Sequence, residues 1–244
     1  MTALVLVPTY NERENLPILV RALVAYDSVR IMVIDDQSPD GTGAVADALA
    51  KEFPGRIDVL HRTGKRGLGR SYVEGMIKAR GEPVDLICQM DADLSHDPAD
   101  LPALMAASAT ADMVIGSRYV RGGRVLNWPL RRRLLSKLAN LYVRGVTRVR
   151  PRDCTSGYRC WRRDTLARLP MDRVASDGYA FAVELLFLAS LQGCRFAEVP
   201  ITFVERRLGE SKLSGAVLIE SAITPWRLIA NRHAFPLRTP RNRR

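Results

Sequence analysis

Short apolar runs separated by helix-length amphipathic stretches fill the first half of the chain. Leu4 to Val7, Val29 to Ile34, Ile57 to Leu60, Val84 to Met90 and Met113 to Ile115 are apolar, β-branched runs bounded by polar turn residues, the pattern of strands buried inside a sheet. Between them, Glu14 to Ala25, Gly41 to Phe53, Gly69 to Arg80 and Pro98 to Ala107 have the length of helices. Repeated strand and helix units of about 25 to 30 residues predict an α/β fold, a mostly parallel, Rossmann-like doubly wound sheet flanked by helices. In such sheets ligands bind beyond the carboxyl ends of the strands.

The second half has a different texture. Arg131 to Val149 reads as a basic amphipathic helix, Val183 to Gln192 as a mostly apolar helix, and Arg195 to Val204 as one strand interrupted by Pro200. Lys212 to Asn231 is apolar along one side, but Glu220 and Arg227 exclude a membrane-spanning role. It reads either as an interfacial helix or as an ordinary helix covering the core. No internal repeat or linker divides the chain, so residues 1–233 are expected to form one domain. Residues 234–244, rich in Pro and Arg, read as a basic flexible tail.

Composition narrows the class. The chain has 244 residues, 47% hydrophobic and 26% charged, the balance of a globular protein rather than a disordered one. Its longest uncharged runs, Met1 to Asn11 and Leu101 to Ala111, are 11 residues each, short of the ~20 that span a bilayer. The N-terminus lacks the basic region and cleavage site of a signal peptide, which implies a cytosolic protein. Cys88, Cys154, Cys160 and Cys194 are scattered without the spacing of a zinc site or a disulfide framework and read as reduced thiols.

Charge is concentrated rather than spread. From Met113 to Arg152 there are 11 basic residues and no acid, and the tail from Ala234 adds four arginines, again without an acid. The rest of the chain, with 22 basic and 26 acidic residues, is slightly acidic. A basic block of this kind implies a polyanionic or phosphate-bearing partner: nucleic acid, an anionic membrane surface or a phosphorylated substrate.

Polar clusters stand where the strands end. Pro8-Thr9-Tyr10-Asn11-Glu12 follows the first strand and Asp35-Asp36-Gln37-Ser38-Pro39-Asp40-Gly41-Thr42 the second, each opening a helix, where free N–H groups favour anionic ligands. Each cluster alone could be turn chemistry. After the fourth run, Asp91-Ala92-Asp93 puts two carboxylates on one face, a hard oxygen site suited to Mg2+ or Mn2+ carrying a diphosphate. The competing reading is that Asp91, Asp93 and Asp97 cap the next helix, with Pro98 at its first position.

Taken in order, these clusters together with Asp91-Ala92-Asp93-Leu94-Ser95-His96, Gly116-Ser117-Arg118-Tyr119, Thr155-Ser156-Gly157-Tyr158-Arg159 and Gly209-Glu210-Ser211-Lys212 resemble the polyprenol-phosphate (dolichol-phosphate) mannose synthases, GT-A enzymes of glycosyltransferase family 2. The resemblance covers about Leu4 to Asn231. It implies transfer of mannose from GDP-mannose to a polyprenyl phosphate, giving polyprenyl-phosphate mannose and GDP. Carried over by position, Pro8, Tyr10, Glu12, Ile34 and Asp36 would hold the nucleoside. Asp91, Ala92 and Asp93 would face the diphosphate, with Asp93 the leading metal ligand and Asp91 its companion. Arg118, Arg206 and Lys212 would contact the donor, and Arg118, Arg132 and Ser136 the acceptor phosphate. The catalytic group would be Asp91, Asp93 and Arg118. Where some relatives have Gln two residues after the second aspartate, this chain has Ser95.

The chemistry agrees with that resemblance. A hydroxyl acceptor needs a general base, whereas a phosphate monoester is already anionic and can attack the sugar carbon directly. The protein's task is then to hold two anions together by position and charge, with single displacement and inversion at the anomeric carbon. His61, His96 and His233 are expected in surface or capping roles. A basic amphipathic helix and a polybasic tail would bring the enzyme to an anionic membrane as a peripheral protein on the cytoplasmic face; an integral anchor would come from a separate partner. Two other readings remain: a polyprenyl-phosphate transferase using UDP-glucose or another nucleotide sugar, and a nucleic-acid-binding protein using the basic stretch with Tyr119, Trp128 and Tyr142. The second leaves Asp91, Asp93 and both strand-end clusters unexplained, so nucleic acid is not expected as a partner. No G-x-G-x-x-G follows the first strand, which argues against a dinucleotide-binding oxidoreductase.

Overall fold

A computed structural model describes residues 1–176, 178–205 and 215–235. The first half follows the hydrophobic pattern closely. Strands β1 (Ala3–Thr9), β2 (Val29–Asp35), β3 (Ile57–His61), β4 (Leu86–Gln89) and β5 (Met113–Ser117) alternate with helices α1 (Asn15–Val24), α2 (Thr42–Glu52), α3 (Leu68–Ala79) and α4 (Leu101–Ala107). A single 3-10 turn, Pro98–Asp100, leads into α4. Beyond β5 come β6 (Arg124–Leu126), α5 (Leu130–Thr147), β7 (Arg159–Arg162), α6 (Arg163–Leu166), α7 (Gly178–Leu191), β8 (Phe196–Pro200), β9 (Thr202–Val204) and α8 (Gly215–Ala230).

Seven strands form the main sheet in the order β3-β2-β1-β4-β7-β5-β8. All neighbours are parallel except β7, which runs antiparallel to both β4 and β5. Because strand side chains alternate between faces, β1 feeds two cores. Leu4 and Leu6 pack with Met32, Tyr72, Met76 and Phe181 on one face. Val5 and Val7 pack with Leu16, Leu19, Val20 and Leu104 on the other. Both faces are therefore covered, as a parallel sheet requires.

Two expectations need correction. The stretch Arg195 to Val204 is two strands in two sheets: β8 extends the main sheet, while β9 pairs in parallel with β6. Pro200 ends β8 because it has no N–H to continue the ladder. Antiparallel β7 and the small β6–β9 pair were not expected at all. The helix expected from Val183 to Gln192 begins earlier, at Gly178, and helix α8 falls inside the expected Lys212 to Asn231.

Helix α5 buries a narrow stripe, Asn140, Val143 and Thr147. Leu130, Leu134, Leu138 and Leu141 stay exposed, the first of them 79%. Helix α8 buries Thr224 and Leu228 but leaves Ile223 and Trp226 exposed, so it both covers core and presents an apolar edge. The Tyr142 hydroxyl donates to the Ala222 carbonyl at 2.7 Å and ties α5 to α8. No helix among the described residues is long and apolar enough to cross a membrane.

Candidate active site

The carboxyl ends of β1, β2 and β4 lie side by side, and each is followed by a non-glycine residue in the left-handed region: Asn11 at φ 61°, Gln37 at 60° and Leu94 at 60°. Such backbone is uncommon and costs free energy, and it tends to cluster where a site is being shaped.

The first two ends are laced together. Asn11 N–H donates to Ser38 Oγ at 3.1 Å, Glu12 N–H to Thr42 Oγ1 at 3.0 Å and Arg13 N–H to Asp40 at 3.2 Å. The Glu12 carboxylate accepts from Asn15 Nδ2 at 2.8 Å. Asp36 is buried. Its carboxylate is paired with Arg62 and accepts the Gly67 N–H at 2.8 Å. Arg62 also donates to Glu74 and to Ser71. Arg66 lies across Tyr10, 5.1 Å from the ring centroid, and donates to the Tyr10 hydroxyl at 3.1 Å and the Gln37 carbonyl at 3.0 Å. The loop of residues 62–67 thus joins Tyr10 and Asp36 into one crevice. Pro8 pairs with Ile34 in the β1–β2 register. Ile34 is fully buried, and its side chain lies where a Cβ on Gly75 would collide with it. Any contact from Ile34 to a nucleoside would fall to its backbone.

At the end of β4 the carboxylates divide the work. Asp97, not Asp91 or Asp93, caps the turn before α4: its Oδ1 accepts the Ala99 N–H at 2.9 Å, with Pro98 next. The capping reading therefore belongs to Asp97 alone. Asp93 Oδ1 accepts the Ser95 N–H at 3.1 Å. Asp91 Oδ1 accepts from the Tyr72 hydroxyl at 3.0 Å, and Tyr72 stacks in parallel on Phe181 with centroids 5.8 Å apart. Burial, then the charge of Asp91, pushes the Tyr72 phenol well above its usual value, so it remains a proton donor to Asp91. Ala92 is buried between the two aspartates.

His96 differs from expectation. It is 1% exposed, accepts the Asp91 N–H through Nδ1 at 3.3 Å and lies against Tyr158 and Phe203. It holds the carboxylate loop from behind. Gly157 completes that support, because a Cβ there would meet Asp91 Oδ2 at 3.2 Å.

Facing the carboxylates is the basic segment. Arg118 is buried and fixed: its backbone N–H, Nε and Nη2 donate to Asp153 at 2.9, 2.8 and 2.7 Å, and Nη2 also donates to Thr155 Oγ1 at 2.8 Å. Burial pushes the Asp153 carboxyl up, but the charge and hydrogen bonds of Arg118 outweigh it and hold Asp153 below its usual range. Arg132 is paired with Glu205 and lies 4.1 Å over the Trp128 ring. Ser136 and Tyr119 share a hydroxyl hydrogen bond of 2.7 Å. Arg159, fully buried, donates to the carbonyls of Ser156, Cys154 and Ala182, and burial lowers its pKa to about 10. It braces the turn that carries Thr155 and Gly157.

Two cavities meet at this segment. One, about 50 Å3, is lined by Asp91, Asp93, Ser95, His96, Arg118 and Arg132 among others. The second, about 230 Å3 and mostly apolar, lies among α5, α7 and α8 against Leu135, Ala139, Val143, Ala180 and Val183, with Ser136 also on its wall. Arg118, Trp128, Arg132 and Thr155 line both. Among the described residues no three His, Cys, Asp or Glu side chains gather to hold a metal by themselves. Two carboxylates at the mouth of a polar cavity still fit a hard divalent ion whose remaining positions are filled by diphosphate and water oxygens. Arg206 and Lys212 lie outside the described residues.

Residues 4–169 match the family model described as "Glycosyl transferase family 2". The chain belongs to glycosyl transferase family 2. Within the family it is 50% identical, over 220 residues, to the polyprenol monophosphomannose synthase of Mycolicibacterium smegmatis, covering 89% of this chain and 83% of that one. It is 46% identical over 233 residues to the undecaprenyl-phosphate mannosyltransferase of Micrococcus luteus, covering 94% and 96%. Solved structures share the fold at low identity. A glucosyl-3-phosphoglycerate synthase from Mycobacterium tuberculosis with Mn2+, UDP-glucose and phosphoglyceric acid matches with TM-score 0.66 at 18% identity, covering 96% of this chain and 80% of that one. A mannosyltransferase from Pyrobaculum calidifontis with GDP-Man and Mn2+ matches with TM-score 0.56 at 18%, covering 96% and 76%.

Arg62, Arg66, Tyr72, Asp153 and the buried place of His96 are absent from the sequence reading. A buried Asp36 demanded a cation, but nothing local names Arg62 as that cation.

Proposed function

We propose that this glycosyl transferase family 2 enzyme moves mannose from GDP-mannose to the phosphate of a polyprenol, as a peripheral protein on the anionic cytoplasmic face of a membrane. The observation that carries this reading is the shared wall. Arg118 and Arg132 stand between a cavity that holds two carboxylates and one that is apolar, so an anion on a hydrocarbon tail fits there beside a nucleotide diphosphate. The names of the two relatives at about half identity point the same way.

In this reading Tyr10, Glu12 and Asp36 hold the nucleoside, with Arg66 and the backbone of Pro8 and Ile34 beside them. Asp93 and Asp91 hold Mg2+ or Mn2+, which when bound offsets the diphosphate's charge as it departs. Ala92 lies between them, and Arg118, Arg132 and Ser136 receive the acceptor phosphate; Arg206 and Lys212 would complete the donor side. An oxygen of the acceptor phosphate forms the new bond to the anomeric carbon while the bond from that carbon to the diphosphate oxygen breaks, and GDP leaves with the electron pair. The nucleophile enters already deprotonated, so no side chain need take a proton. Fixed guanidiniums lower the repulsion between the two anions without reorganising during the reaction.

The test is incubation with Mg2+ or Mn2+, polyprenyl phosphate and radiolabelled GDP-mannose or UDP-glucose, followed by extraction into organic solvent. Lipid-extractable label is expected from GDP-mannose. Asp93→Ala should lower it by about 100-fold or more, the scale of removing one group that meets developing charge. Label from UDP-glucose alone would replace the donor sugar, and label from neither would overturn the reading.

A further inference from the structure

Trp128 stands on the wall common to both cavities, and its indole N–H is buried without a hydrogen-bond partner among the described residues. Buried donors are almost always paired, and an exception in a cavity wall calls for an occupant. The indole nitrogen is a donor only, so that occupant must offer an acceptor.

The ring's other contacts fix which acceptor. Arg132 lies 4.1 Å from a Trp128 ring centroid and Arg118 5.6 Å. Phe203 meets the ring nearly edge-on at 5.4 Å and is itself 5.4 Å from the Arg118 guanidinium. One aromatic platform thus serves two cations that would otherwise repel, and each gains from the ring's negative face. Two guanidiniums on one ring, with the indole N–H beside them lacking a partner among the described residues, suit a tetrahedral oxyanion at the shared wall. The carboxylates lie on the polar side of this wall and the apolar cavity on the other. The anion seated here is therefore the one that carries the hydrocarbon.

We propose that Trp128 is an acceptor-positioning residue, its Nε1–H donating to an oxygen of the acceptor phosphate while its ring holds Arg118 and Arg132 around that phosphate. This rests on the polyprenyl-phosphate reading above and adds to it a residue that sets acceptor affinity without touching the donor.

The test compares wild type, Trp128→Phe and Trp128→Leu in steady-state kinetics, varying a short-chain polyprenyl phosphate at saturating GDP-mannose and then the reverse. Phe keeps the platform and removes the N–H; Leu removes both. KM does not depend on how much of a sample is folded, so a fold defect alone leaves it unchanged. Trp128→Phe is expected to raise the acceptor KM about fivefold, the scale of one lost hydrogen bond, with the KM for GDP-mannose unchanged. Trp128→Leu is expected to raise the acceptor KM further. An acceptor KM in Trp128→Phe within about twofold of wild type, or a rise confined to GDP-mannose, overturns the assignment. Failure of the wild type to label any lipid would instead overturn the transfer reading on which it rests.

Discussion

Asp153 decides how firmly Arg118 is held. Its carboxylate is fully buried and takes three hydrogen bonds from that one residue, so removing its charge leaves an uncompensated guanidinium in the interior. Asp153→Asn should destabilise the fold by about 3 to 5 kcal/mol, read from urea or thermal unfolding. The pH dependence follows from the depressed folded pKa of Asp153. The pair's contribution is complete above the unfolded value of about 3.9 and is lost as pH falls through the lower folded value. The wild type should therefore lose stability below about pH 4 more steeply than Asp153→Asn does. Residues of this kind were illegible in the sequence. Arg118 meets Asp153 across 35 positions and Arg62 meets Asp36 across 26, and pairing at that range is set by how the strands are ordered. The placing of Tyr10, Asp36, Asp91 and Asp93 at strand ends was legible because strand ends can be read locally, and the strand end is where this architecture places ligands. Asp97 was legible only as one of three caps; the structure gives the cap to Asp97.

Helix α5 was recognised as basic and amphipathic, but its proportions were not. A core-covering helix of 18 residues normally buries a broad stripe; this one buries three residues and exposes a row of leucines, Leu130, Leu134, Leu138 and Leu141. Arg131, Arg133 and Lys137 are exposed among them, which is the composition of a helix that rests in a lipid interface. The double change Leu134→Asp and Leu138→Asp should weaken sedimentation with anionic vesicles strongly. It should shift unfolding free energy by no more than about 0.5 kcal/mol per site, because neither side chain is part of the core. Binding that survives the change would exclude this face as the lipid contact. The strands missed altogether, β6 and β7, are three and four residues long. A period of two cannot be distinguished from chance over so few positions. Pro200 was read as an interruption within one strand, whereas it marks the passage from one sheet to another.

On the scale of the molecule, the formal charge of +11 bears on the proposed attachment to an anionic membrane. With the acidic remainder set against a basic segment and tail, attraction to an anionic surface should be strong at low ionic strength and screened at high. Vesicles containing anionic phospholipid should retain the protein at about 50 mM NaCl and release most of it by about 500 mM, while zwitterionic vesicles bind weakly throughout. Binding indifferent to salt would shift the weight to the apolar edges of α5 and α8. The sheet order has another consequence. Tyr10, Asp36 and the aspartates come from the first hundred residues, whereas Arg118, Trp128, Arg132 and the apolar cavity come from the remainder. The halves are stitched through β7, whose antiparallel course sets it between β4 and β5 and brings Gly157 up behind Asp91. In the proposed reading the nucleoside crevice and the lipid-facing cavity are thus inherited in separate stretches of chain, while Arg118, Arg206 and Lys212 tie the second stretch to the donor as well. A recombinant joining two such enzymes would have several seams to respect: the Tyr72–Phe181 stack, the packing of His96 on Tyr158 and the bare glycine behind the carboxylate.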